Sequence, residues 1–452
     1  MLRTIATLTL LITMIISPVL AQDVIDKGKI TVLMTDGRHK MNESDFKGAM
    51  VQFKEVLKLD ENHAMAHFRI SECHLRIRNY KYAQEYAAKA RELDPEVDKE
   101  LDYIEGQVLF KLGDIDKAES LFTRYKERLG EAALKESMVG RYLEDCAFAR
   151  KAMADSADVK VMMLENNISS TYRDYAPVFS PDGKYLYFTS RRSDTKGGGI
   201  AGDYVYFEDV YVCKWDSVNN TWGEPDHMPG KLNSESHESV SSISADGSEM
   251  YVTVYTSDSK LTDIAVCRSR GDKPEDWGSP KLLPKRTINT SFFETSGSVS
   301  ESGTVLYFIS DRKTTIGSKT DNSMGRGDIF LAKREGRKGW AKPVNVGSHI
   351  NTIDDENSVY VTPDGKYLFF SSNGLPGVGG YDIFVCKSVG ENEWSEPVNL
   401  GYPINSVDDE THFKPDPEMR YAYYTSIRPG GAGQHDIYYA DLSNLDLEAL
   451  FK

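Results

Sequence analysis

Two hydrophobic periodicities divide the chain. From residue 23 to about 152, apolar positions return every three or four residues, the spacing of a buried helical face. Phe46, Ala49 and Phe53 form one such stripe, Tyr80, Ala83, Tyr86 and Ala90 a second, and Ala118 and Phe122 a third. From about residue 159 the period becomes two, in short runs bounded by Gly, Asn and Asp, which predicts half-buried strands joined by turns. Ahead of both lies Ile5 to Ile16, an apolar run broken only by threonines.

That first run changes the compartment. Arg3 supplies a positive start, and Pro18-Val19-Leu20-Ala21 supplies a helix break and a small residue for cleavage. Together they predict a signal peptide over residues 1–21. The run is shorter than the roughly 18 residues of a membrane span. Export follows, with the periplasm as the expected location and a secreted or outer-membrane-associated protein as the alternative.

The helical region repeats. His63 to Glu96 is one unit, with Leu93-Asp94-Pro95 at its end; Val97 to Gly130 is the next, with Gly113-Asp114 at its inner turn. Small alanines let paired helices approach, aromatics fill the groove, and proline ends a helix because it cannot continue the hydrogen-bond ladder. The period resembles that of tetratricopeptide repeats. About three units are expected within residues 22–155, closed by a last helix near Glu131 to Met153. Such arrays present a concave face to peptides or other proteins; packing against the following domain is the alternative use.

The strand region also repeats. Ala176 to Ser190, around Asp182-Gly183, recurs at Ser358 to Ser372, with weaker copies around Asp246-Gly247, Ser302-Gly303 and Glu418-Met419. Asp-Gly predicts a tight hairpin turn. A second phrase follows in every copy, beginning at Asp209, Asp263, Asp328, Asp382 and Asp436. A third, Trp-x-x-Pro, follows in four, at Trp222, Trp277, Trp340 and Trp394. Four strands per copy predict a propeller blade. The expected fold is therefore α + β and multidomain: a helical array, then a five-bladed all-β propeller over residues 156–445, then a tail over 446–452. The fifth copy lacks its third phrase, so Val159 to Leu164 is expected to close the ring and remove two open sheet edges.

Charge and cysteine usage narrow the function. Formal net charge is -15. A nucleic-acid binder needs a basic footprint, and none is visible; anionic membrane surfaces would repel the chain. Cys213, Cys267 and Cys386 each fall four residues after the second-phrase Asp, where the other copies have Ala332 and Ala440. They read as small core residues, and Cys73 and Cys146 as buried helical thiols.

Five acids recur at the start of the innermost strands: Asp174, Glu238, Glu294, Glu356 and Glu410. They could ring one mouth of the central channel and hold a cation or a basic peptide; the alternative is that each accepts backbone N–H bonds and ties the ring together. Two copies carry enlarged loops on the same face, 193–208 and 313–327, which add Lys196, Asp203, Lys319 and Arg326 as candidate binding residues. Rigid scaffolds concentrate binding on such loops; tolerated surface insertions are the alternative. Catalysis is not expected. His237, His412 and His435 fall at different offsets and form no metal-ligand motif; no nucleophile elbow or phosphate loop occurs. No cofactor is expected.

The segment Ile168 to Arg192 resembles the TolB-like, WD40-like propellers of Bacteroidetes known as PD40 proteins. Helical repeats followed by such a propeller are similar to the PorE-like components of the type IX secretion system. The resemblance implies a non-catalytic periplasmic scaffold whose partners are other cell-envelope proteins, within a secretion or gliding assembly. PorE-like proteins continue into an OmpA-type domain, whereas this chain stops at Lys452, so direct peptidoglycan binding is not carried over. A glycan-binding propeller is the second reading, and a propeller lyase or hydrolase the third.

Overall fold

The computed structural model describes residues 25–452, except 166, 202–204, 257–260, 301, 313–326, 337–338 and 417. By internal contacts the chain divides between Cys146 and Ala147.

The first unit is built of helices. α1 is helical over residues 25–42. It is followed by α2 (Phe46–Leu59), α3 (Ala64–Arg76), α4 (Tyr80–Leu93), α5 (Leu101–Lys111), α6 (Ile115–Arg128), α7 (Glu131–Glu136) and α8 (Val139–Ala154), the last running across the division. α3 pairs with α4 and α5 with α6, as the repeat predicts. Ala83, Ala87 and Ala90 are fully buried on α4, which lets the helices close up. A Cβ on Gly106 would lie 2.7 Å from the Phe122 ring, so the α5–α6 contact needs glycine there. Asp45 and Asp114 cap α2 and α6 by accepting the Gly48 and Lys117 N–H groups.

The second unit is a ring of five antiparallel blades. Blade 5 opens with β1 (Lys160–Met163), far ahead of its other strands. Blade 1 holds β2 (Asp174–Phe179), β3 (Tyr185–Ser190), β4 (Asp209–Asp216), β5 (Thr221–Trp222) and β6 (Asp226–His227). Blade 2 holds β7 (Glu238–Ile243), β8 (Glu249–Thr256), β9 (Leu261–Arg268) and β10 (Lys281–Leu282). Blade 3 holds β11 (Glu294–Val299), β12 (Val305–Ser310), β13 (Asp328–Glu335), β14 (Gly339–Trp340) and β15 (Val344–Asn345). Blade 4 holds β16 (Glu356–Val361), β17 (Tyr367–Ser372), β18 (Asp382–Gly390), β19 (Glu393–Trp394) and β20 (Val398–Asn399). Blade 5 ends with β21 (Glu410–Pro415), β22 (Tyr421–Ser426) and β23 (Asp436–Asp441).

Closure occurs where the missing third phrase puts it. β1 pairs antiparallel with β23, Lys160 opposite Asp441 and Met163 opposite Tyr438. Inner strands neighbour one another in the order β2, β7, β11, β16, β21 and back to β2. A circuit of hydroxyls links them. Thr425 accepts the Ala176 N–H, Thr189 that of Val240, Thr253 that of Ser296, Ser296 that of Val359 and Ser358 that of His412, at 2.8–3.4 Å. Each bond crosses to the next blade.

Two local expectations change. The hairpin turns are not two-residue turns with both central positions left-handed. Only the glycines have positive φ (Gly183 68°, Gly247 70°, Gly303 65°, Gly365 69°), with Met419 at 55° in the fifth copy. Asp182, Asp246 and Asp364 instead brace the turn with Oδ1, which accepts the N–H two residues on. The outermost strand is interrupted in blades 1 to 4, because the Trp-x-x-Pro proline has no N–H to give; in blade 2 its first half is only the Ser269–Trp277 bridge. In the tail, Leu447–Phe451 forms a 3-10 turn, and Glu448 accepts from Tyr367 at 2.6 Å in blade 4.

All five cysteines are buried thiols outside any disulfide. Cys213, Cys267 and Cys386 face Leu186, Met250 and Leu368 in the register where Ala332 and Ala440 face Leu306 and Ala422. The repeat alignment thus holds at the level of strand register.

Candidate functional site

The five recurrent acids each begin an inner strand, but they do not ring a channel mouth. Asp174, Glu238, Glu294, Glu356 and Glu410 are 0–4% exposed. Each carboxylate accepts the N–H and the hydroxyl of the residue four positions upstream: Ser170, Ser234, Thr290, Thr352 or Ser406. In four blades it also accepts the last hydroxyl of the second strand, from Ser190, Ser310, Ser372 or Ser426 at 2.6–2.9 Å. In blades 1, 3 and 5 an arginine completes the clamp: Arg192, Arg312 and Arg428 reach the acid at 3.1–3.3 Å. Every one of these acids is taken up inside its own blade, which leaves no carboxylate ring for a cation or basic peptide.

Just upstream lies a second repeated device that the sequence reading passed over. Asn233, Asn289, Asn351 and Asn405 each bond both the N–H and the C=O of one residue on the third strand of the preceding blade: Val210, Ile264, Ile329 and Ile383. Ser169 does the same to Ile437 across the closure. The signal was present as Asn-Ser or Asn-Thr four to five residues before four of the acids, and as Ser169-Ser170 before Asp174.

The described part of the first enlarged loop lies between β3 and β4, on the side where the inner strand β2 begins. There Lys196 is tied down: its N–H reaches Asp209 at 2.7 Å and its ammonium the Asn233 carbonyl at 2.8 Å. Asp194 accepts from Tyr211 at 2.9 Å and faces His227 at 3.2 Å. Ile200 is left 61% exposed. Asp203, Lys319 and Arg326, and almost all of the second loop, lie outside the described residues.

What this face does assemble is a cavity of about 210 Å³ in the channel mouth, lined by blades 1, 4 and 5. Its residues flank the structural acids. Arg173 and Asp409 precede anchor acids; Tyr175, Asn357 and Thr411 follow them; Glu208, Tyr381 and His435 precede second-phrase aspartates. Arg191 and His412 complete the lining. The fixed acids set the backbone, and in these three blades their neighbours face the mouth and differ from copy to copy. This is the legible signal: variable residues beside invariant ones.

Electrostatically the cavity is mixed. Burial pushes the Glu208 carboxyl up, but hydrogen bonds from His237 and Tyr175 outweigh it and hold it below its ordinary range. Tyr175 is raised well above a normal phenol by burial and by Glu208. The His412 imidazole is pushed down to about 3, by burial first and then by Lys414 and His435, so it is neutral. Its Nδ1 lies 2.9 Å from the Thr411 hydroxyl. Tyr175 lies with its ring centre 6.0 Å from that of His412 and 6.2 Å from that of His435. Among the described residues no group of three His, Cys, Asp or Glu is arranged to hold a metal.

No family model matches the chain, and no curated protein matches it. Similar solved structures include the Yersinia enterocolitica type III secretion chaperone SycD in complex with a peptide of the translocator YopD. It is 16% identical over 26% of this chain and 93% of that one, with a TM-score of 0.25. PcrH in complex with the chaperone binding region of PopD is 21% identical over 28% of this chain and 95% of that one, at 0.25. The first TPR of Spaghetti (RPAP3) bound to an HSP90 peptide is 16% identical over 28% and 97%, at 0.24. At these scores the likenesses carry no argument; the fold rests on the helix pairs and blades described above.

Proposed function

We propose that the protein is a non-catalytic interaction scaffold of the cell envelope, exported to the periplasm, whose propeller holds a protein partner on the face of the enlarged loops and the channel mouth. The single observation behind this reading is the cavity. Side chains from three blades converge there from positions the repeat leaves free to vary, while the acids it demands are buried as clamps. Variation on a rigid frame is the pattern of recognition. Export is supported by Arg3, Ile5 to Ile16 and Ala21, and a secretion or gliding assembly by the resemblance carried in Ile168 to Arg192.

Co-purification from the native envelope with mass spectrometry tests it. Shortening 193–208 and 313–327 to the length of the other copies should leave the fold intact and weaken partner capture severalfold. Full capture by that variant, together with loss of capture on substitution of Tyr80 and Tyr86 in the helical array, would reassign binding to the helices.

A further inference from the structure

Directly below the cavity, the innermost strand of blade 5 carries a buried lysine. Lys414 is 5% exposed, two residues beyond His412 on β21. Its ammonium donates to the Ser241 carbonyl at 2.6 Å. Ser241 belongs to β7 of blade 2, which does not adjoin blade 5 in the ring. The side chain therefore reaches across the channel. Among the described residues that carbonyl is its one acceptor.

Among the described residues no carboxylate bonds this ammonium. The same repeat position holds Val178, Ser242, Ser298 and Tyr360 in the other blades. Burial alone takes the amine down to about 7. The two acids that line the cavity have partners of their own: Glu208 is held by His237 and Tyr175 and also feels the Arg191 charge, and Asp409 accepts the Tyr381 N–H at 3.1 Å. Blade 1 adds two guanidinium groups to the wall. Arg173 is oriented by Gln434 at 2.9 Å, and Arg191, 5% exposed, by the Tyr206 carbonyl at 2.6 Å. The positive field reaches the cavity wall, since Lys414 is one of the groups that keep His412 neutral. In a chain of net charge -15, two guanidinium groups and a buried ammonium are gathered at one mouth.

We infer that the channel mouth receives a carboxylate, the side chain of an aspartate or glutamate on the bound protein, drawn in by Lys414 from below and by Arg173 and Arg191 from the wall. The inference rests on the scaffold reading above and specifies the chemistry of its partner. The cavity's size agrees: it is smaller than the roughly 300 Å³ at which pockets for drug-sized molecules begin, and suits one side chain. A buried ammonium with one carbonyl acceptor gains most from an anionic one, and a singly charged group meets less repulsion from the acidic surface than a phosphate dianion does.

The test uses the whole chain and two blocked tripeptides, acetyl-Gly-Glu-Gly-amide and its glutamine counterpart, titrated by ligand-observed NMR, with inorganic phosphate as a third probe. The glutamate peptide should bind saturably, on the order of tenfold tighter than the glutamine peptide. Lys414→Met should abolish that preference while leaving the thermal midpoint unchanged or higher, because it removes a buried charge. Arg173→Gln, at the rim, should weaken binding severalfold and serves as the second handle should Lys414→Met not fold. Equal binding of the two peptides, an undiminished preference in both variants, or tighter binding of phosphate overturns the inference. Envelope capture that survives in Lys414→Met with no peptide preference in the parent leaves the scaffold reading standing without the carboxylate. Peptide preference with no capture by the parent does the reverse.

Discussion

Blades 1, 3 and 5 differ from blades 2 and 4, although all descend from one phrase. In the first three the buried acid meets an arginine, and the guanidinium also bonds the carbonyls of Ile168, Ile288 or Ile404 and stacks on aromatic rings at 4.9–5.7 Å. The same three inner strands kink through a left-handed residue: Ala176 at φ 54°, Ser296 at 55° and His412 at 57°. Blades 2 and 4 carry Thr256 and Gly374 where the arginines stand, and their bulges fall elsewhere, at Val240/Ser242 and Glu356/Ser358. The difference teaches that one buried carboxylate can be stabilised in two ways. A guanidinium can neutralise it, or it can keep its proton. Burial raises Glu294 and Glu410 too, but Arg312 and Arg428 pull them back down; Glu356, without an arginine, is raised to about 8.

The largest effect should come from blade 5, whose clamp is complete but whose outer strand is borrowed. Deleting 159–164 exposes the edge of β23; we expect aggregation or loss of a single cooperative transition in urea, and an unchanged transition would show that the clamp alone holds the blade. Next, Arg312→Met or Arg428→Met should cost about 3 kcal/mol, because a buried acid loses its partner. Glu356→Gln in blade 4 should cost less than about 1 kcal/mol at pH 7, since the amide replaces a group that is already protonated. Chemical denaturation of the three variants decides whether the two kinds of blade are real.

A pH series sharpens the same contrast. Glu356 and Asp382 in blade 4 are both raised to about 8 by burial. Between the ordinary carboxyl range and pH 8 the native state therefore holds protons that the unfolded chain has lost. Stability from this source is full at low pH and falls as pH rises through 8. Urea midpoints at pH 5 to 8 should decline in the parent and decline less in Glu356→Gln. The smallest effect is expected from the thiols. Cys213→Ala in blade 1 and Cys386→Ala in blade 4 should each cost about 1 kcal/mol, alike in both kinds of blade, because Ala332 and Ala440 already occupy that register. A bridge between these cysteines in non-reducing mass spectrometry would contradict their placement in separate blades.

Much of the fold was legible because repeats are self-checking: five copies of a strand–turn–strand phrase fix blade number, register and the borrowed strand. The 34-residue spacing did the same for the helices. The site was less legible. The anchor acids were found, but their recurrence reflects burial, and sequence does not say which way a carboxylate faces at the start of a bulged strand. The arginine clamp needs a partner 18 residues away that three copies have and two lack. Lys414 read as one lysine among many, since only the ring brings β21 opposite β7.

An odd ring cannot alternate two kinds of member. Going round from blade 1, the kinked and unkinked strands take turns until blade 5 meets blade 1, and there two kinked strands stand side by side. That single fault in parity coincides with the borrowed strand, and the cavity opens beside it, between blades 5 and 1 with blade 4 at its flank. A ring of near-identical units would offer a guest five equal seats. This one has a marked position, so it should seat one guest per ring, in one orientation.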